Sequence, residues 1–122
     1  MIQTDLEYLK VILDFCRNVS NMTEKYGNTF FAFENDTDFR HASCFCVMQI
    51  GEAIKHLSDD FIKQSGSRIR WAKYKELSRK ILYGFETIDL SAVWNTIQCG
   101  LPDLERYCDE VISTEEILSR VS

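Results

Sequence analysis

Residues 38–64 read "DFRHASCFCVMQIGEAIKHLSDDFIKQ". Phe39, Ala42, Cys46, Ile50, Ala53, Leu57 and Phe61 recur at steps of three or four, the period of one apolar helix face. The spacing predicts one long helix from about Asp38 to Gln64, stopped by Ser65, Gly66 and Ser67. Gly51 sits inside it, where glycine costs about 1 kcal/mol relative to alanine. That cost is expected to be offset by close approach of another helix at this point.

The same period extends outward in both directions. Upstream, Thr4 and Glu7 have the spacing of a capping box, in which each side chain serves the other residue's backbone N–H. Leu6, Leu9, Leu13, Cys16 and Val19 then form one stripe, and "YGNT" (26–29) ends the helix because Gly27 and Asn28 tolerate a left-handed cap. "FFAF" (30–33) reads as a short helical turn laying rings over the core, and "ENDTD" (34–38) is rich in helix-starting residues. Downstream, a third helix is expected over Trp71–Tyr83 with Gly84 as its cap. A fourth begins after Asp89 and presents Leu90, Val93, Trp94 and Ile97. Gly100 and Pro102 are expected to interrupt it before Leu104, Cys108 and Val111 resume the stripe. Ser113 and Glu116 suggest a separate short terminal helix. Alternating apolar runs that would mark strands are nearly absent. The expectation is an all-α, up-and-down four-helix bundle with short extra helices, one domain over residues 1–122.

Composition agrees with a single core: 122 residues, 45% hydrophobic and 27% charged, with one proline and no low-complexity tract. The first residues, "MIQTDLEYLK", do not read as a signal peptide, so none is expected, and no window approaches the roughly 18 apolar residues of a membrane span. A cytoplasmic protein is expected. The cysteines Cys16, Cys44, Cys46, Cys99 and Cys108 are odd in number and scattered, so they read as small core residues rather than a disulfide framework. Cys44 and Cys46, two apart on a helix, point to different faces, and no metal site is expected.

Charge is unevenly placed. The chain is −5 overall, which argues against phosphate binding. Yet residues 63–80 hold Lys63, Arg68, Arg70, Lys73, Lys75, Arg79 and Lys80 against one acid, Glu76, so this segment is +6 and the rest −11. Such a run can steer RNA, a nucleotide or an acidic partner to one face; it can equally be a solvated helix face paired with acids elsewhere.

Four segments carry a resemblance: "DLEYLKVIL" (5–13), "QIGEAIKHLSDD" (49–60), "IRWAKYKELSRKILYGFETIDLSAVW" (69–94) and "LPDLERY" (101–107). Together, over about residues 5–112, the chain resembles the HepT-like ribonucleases of the HEPN superfamily. The resemblance implies a HEPN-like bundle and a cofactor-free, metal-independent RNase toxin, usually a homodimer. Its motif R-x4-H-x-Y closes the third helix and faces the dimer cleft. It also implies a minimal nucleotidyltransferase antitoxin as partner, able to add AMP to the motif tyrosine. Anchored on Gly84 and Asp89, the family's Arg falls on Ser78, its His on Tyr83 and its Tyr on Phe85. Sliding the register to Arg79 shortens the gap to Tyr83 and still supplies no histidine.

The substitutions matter chemically. Metal-free RNA cleavage needs a proton-transfer group active near neutrality and a cation for the phosphorane. A phenol has a reference pKa near 10, so Tyr83 is a poor base, and Phe85 has no hydroxyl to accept AMP. Arg79 and Tyr83 are the remaining candidates for a variant site, with Arg68, Arg70, Lys73, Lys75 and Lys80 as candidate nucleotide-, RNA- or partner-binding residues. His41 and His56 lie fifteen residues apart on the predicted helix, too far to act together. His56 and Glu52 read as a solvated pair also serving Lys55. Trp71 and Tyr74 can stack on bases but more readily fill a core or dimer seam, and Trp94 reads as core. The sequence thus favours a HepT-like homodimer impaired in RNA cleavage that binds a nucleotidyltransferase. The alternatives are an active RNase with a variant site, or a structural helical dimer.

Overall fold

The computed structural model describes residues 1–121 and, among them, is all-helical. Four long helices form the bundle: α1 (Gln3–Tyr26), α3 (Thr37–Ile54), α5 (Trp71–Gly84) and α7 (Leu101–Val121). Short helices α2 (Phe30–Asn35), α4 (Asp59–Ser65) and α6 (Leu90–Asn95), with a 3-10 turn at Phe85–Thr87, join them. Helix α3 is central, packing on α1 on one side and α5 on the other, while α7 returns against α1.

Local chemistry sets most boundaries. Gly27 ends α1 at φ 103°, a left-handed backbone that a side chain would strain. Thr29 Oγ1 accepts from Ala32 N at 3.1 Å to start α2, and Asp36 Oδ1 accepts from Phe39 N at 3.1 Å to start α3. Phe33, Phe39 and Trp94 then meet as one aromatic cluster, with ring centroids 5.3–6.1 Å apart. Phe31, by contrast, is exposed.

Four expected boundaries are corrected. Helix α1 begins at Gln3 with Ile2 preceding it, so Thr4 and Glu7 lie inside the first turns and form no capping box. The long second helix is two: α3 ends at Ile54, and Lys55–Leu57 tighten into i→i−3 hydrogen bonds before Ser58 caps α4 by accepting from Phe61 N at 3.2 Å. The apolar period runs through the break because Leu57 and Phe61 both remain buried. Gly100 and Pro102 do not interrupt the fourth helix. A π-turn over Thr96–Gly100 accommodates the proline, whose ring would clash in regular helix and which donates no N–H, and the chain continues into α7. Nor is there a terminal helix at Ser113: α7 runs unbroken to Val121, although Ile112 is its last buried side chain.

Buried polar contacts fix the crossings. Asp5, almost fully buried on α1, accepts from Ser58 N and Ser58 Oγ, both at 2.7 Å, and so pins the start of α4 to α1. Hydrogen bonds to a charged acceptor are worth about 1.5–3 kcal/mol each way they are cut. Asp5→Ala is expected to lower unfolding free energy by about 2 kcal/mol in urea denaturation; an unchanged midpoint would show the tether to be idle. Four cysteines are core residues as expected, whereas Cys99 is exposed.

The expected close approach occurs at Gly51. A methyl group there would overlap Ser78 Cβ, stand 2.5 Å from Ser78 Oγ and 3.3 Å from the Tyr74 carbonyl. Glycine is what lets α3 and α5 touch backbone to backbone at this level.

Candidate functional site

The last turns of α5 carry the site. From the Gly51–Ser78 crossing, α3 and α5 run in opposite directions. Stepping one or two turns outward therefore brings Met48 and Cys44 opposite Ile81 and Phe85, and these residues line one apolar groove of about 290 Å³. On the neighbouring face, Arg79, Lys80, Tyr83, Thr87 and Asp89 line an open pocket of about 530 Å³.

The three positions that the resemblance assigns to the motif do different things. Ser78 is 2% exposed and donates from Oγ to the Met48 carbonyl at 2.8 Å, so it is a packing residue of the α3–α5 seam. Tyr83 is 81% exposed and stands at the pocket. Phe85 is half-buried with its ring against His41 at 5.4 Å. Asp89 faces the same pocket but is committed: it caps α6, accepting from Ser91 N at 3.0 Å and Ser91 Oγ at 2.6 Å. These bonds hold its carboxyl below the usual carboxylate range, the Ser91 hydroxyl most strongly.

The basic run separates into distinct roles. Arg79 and Lys80 reach the pocket, with Lys80 also 3.4 Å from Glu76. Arg70, just before α5, and Lys73, on its first turn, are exposed, and Lys75 is half-buried. Arg68 is structural. It donates to Asp103 at 2.7 Å and lies over the Tyr107 ring, tying the α4–α5 loop to α7, and it depresses the Asp103 pKa. Trp71 and Tyr74 are buried, so neither can stack on a base. Trp71 Nε1 donates to Ser65 Oγ at 2.8 Å and Tyr74 Oη to the Gly100 carbonyl at 3.0 Å. Trp94 belongs to the aromatic cluster.

The histidines also part company. His56 lies beyond α3 and stacks on Tyr8 at 4.5 Å, while Glu52 pairs with Lys55 at 2.8 Å, so the expected His56–Glu52 pair does not form. His41, dismissed from sequence as too distant from His56, instead stands beside the motif, edge-on to Phe85. No sequence signal marks it, because the pairing of α3 with α5 is set by the Gly51–Ser78 contact, which packing alone determines. Exposed Phe45 and Leu82 extend the apolar groove toward Tyr83.

A family model described as ribonuclease HepT-like matches residues 6–111. The chain belongs to the HepT-like ribonuclease family. Among its relatives is a provisionally named RNase of Caldanaerobacter subterraneus subsp. tengcongensis, 25% identical over 94% of this chain and 100% of its own. Two provisionally named RNases of Methanocaldococcus jannaschii are 23% and 26% identical, each over 91% of this chain and 84% of its own. No solved structure matches. In this HepT-like chain the end of α5 presents a buried serine at Ser78, an exposed phenol at Tyr83 and a half-buried phenyl ring at Phe85.

Proposed function

We propose that this HepT-like protein is impaired in RNA cleavage and acts as a cytoplasmic homodimeric binding partner of a minimal nucleotidyltransferase in a toxin–antitoxin type module. The observation that carries the reading is Ser78, which is buried in the α3–α5 seam with its hydroxyl spent on Met48. No guanidinium stands at that position, and Phe85 offers no oxygen for AMP transfer. What remains exposed suits binding. Phe45, Leu82 and Tyr83 give apolar area for a second copy, and Arg79 and Lys80 give cations for phosphates or an acidic partner. Purified protein is expected to leave total RNA uncut above a buffer control, and affinity capture from the native host to retain a nucleotidyltransferase. RNA turnover, or capture without any such partner, would sink the reading.

His41 favours a second reading, an active RNase with a variant site. Imidazole is the side chain able to exchange protons at neutral pH, and this one touches the Phe85 ring. On that reading wild-type protein cleaves RNA. His41→Ala then lowers the rate by at least about 100-fold, as loss of general acid–base catalysis does, while Tyr83→Phe changes little.

A further inference from the structure

A second pocket, of about 250 Å³, lies between α1 and the π-turn and shares no lining residue with the site at the end of α5. Its floor is apolar, from Val19, Ile97 and Leu101, and its rim is polar, from Ser20, Gln98 and Glu105. The rim is held in place: Gln98 Nε2 donates to Asn28 Oδ1 at 2.6 Å, fixing the π-turn against the end of α1. Pro102, with no N–H, leaves this turn at least one main-chain carbonyl short of its helical donor, and Ile97 and Gln98 on that turn line the pocket.

Glu105 is the unusual member. The other acids of α7 near it are paired, Asp103 with Arg68 and Arg106, and Asp109 with Arg17. Glu105 is half-buried, and among the described residues it has no ion pair or hydrogen bond. Glu105 lines the pocket together with the buried Cys16, whose thiol its charge also disfavours ionising. The other polar side chains of the lining, on Ser20, Thr23, Asn28 and Gln98, are neutral, so this half-buried carboxylate beside an apolar floor has no counter-charge among the residues around the pocket.

We propose that this pocket binds a small organic cation, a primary ammonium on a short aliphatic chain, with the ammonium on Glu105 and the chain against Val19, Ile97 and Leu101. The volume admits only a handful of heavy atoms, so affinity is modest, on the order of 1 mM. The site is separate from the surface invoked for partner binding, and its failure would leave that reading untouched.

The test is a titration of the full chain with n-butylammonium chloride, followed by amide 1H–15N spectra, with sodium butyrate as the control of opposite charge. Saturable shifts are expected at Ser20, Gln98 and Glu105, with none from butyrate. Glu105→Gln is expected to weaken binding at least about tenfold, the loss of one charge-assisted hydrogen bond. Ser20→Trp, which closes the mouth and leaves the carboxylate, serves as a second variant and should abolish the shifts. Non-saturating shifts, equal affinity in Glu105→Gln, or shifts spread over exposed acids such as Glu110 and Glu116 would overturn the assignment.

Discussion

Gly51→Ala is expected to destabilise the protein by about 2–3 kcal/mol, the reverse of what helix propensity alone dictates. In an isolated helix the change would add about 1 kcal/mol of stability. Here the new methyl meets Ser78 Cβ and Oγ on one side and the Tyr74 carbonyl on the other. The carbonyl is main chain and cannot rotate away, so α3 and α5 must separate. Separation stretches the 2.8 Å bond from Ser78 to Met48 and opens the seam along Ile81 and Phe85. Urea denaturation measures the loss. The double variant Gly51→Ala with Ser78→Gly restores the space and should recover a large part of it, a coupling that two independent sites would not show. A single variant as stable as wild type would mean the helices do not touch here.

Stability is also expected to fall steeply on the alkaline side. Burial pushes the Cys16 thiol up, Cys44 up to about 11 and Cys108 up to about 12 from an ordinary value of 9.0. A group whose folded pKa is raised is neutral in both states below the unfolded value, so its contribution is intact there. As pH rises past 9, only the unfolded chain releases the proton, and the native state loses ground until the folded pKa is reached. At pH 10 this amounts to about 1.4 kcal/mol per thiol, roughly 4 kcal/mol for the three together relative to pH 7. Tyr74, pushed up to about 12 by burial, extends the loss above pH 10. Urea midpoints at pH 7 and pH 10, taken under reducing conditions, measure it. Cys108→Ala should flatten the profile by about a third, and equal midpoints at the two pH values would show that the thiols are not desolvated.

The period of three and four that marks a buried face was legible throughout, because it depends only on which side chains avoid water. It was also what misled at Leu57, which keeps its phase across the break between α3 and α4. The signal for the break was present in Ser58 followed by Asp59 and Asp60, a capping residue with an acidic first turn. Ser113 shows the opposite error, since a capping pattern inside a helix with no change of direction goes unused. Gly51 was read correctly as a contact, but its partner Ser78 is fixed by tertiary packing. So the burial of one motif position and the placement of His41 beside another emerged only in three dimensions. Charge counting failed at Arg68 for the same reason: Asp103, thirty-five residues on, takes it out of the basic face.

Among the described residues helix α7 buries no side chain beyond Ile112, its Ile117, Leu118 and Val121 being exposed, and its last turns are tied down by weak contacts such as the ion pairs from Glu115 to the amino terminus and from Glu116 to Lys10. Such contacts are too weak to stop the last turns from fraying. A protease offered the folded chain therefore meets its first scissile bonds there, and trimming that arm should leave a resistant remnant that still melts as one unit.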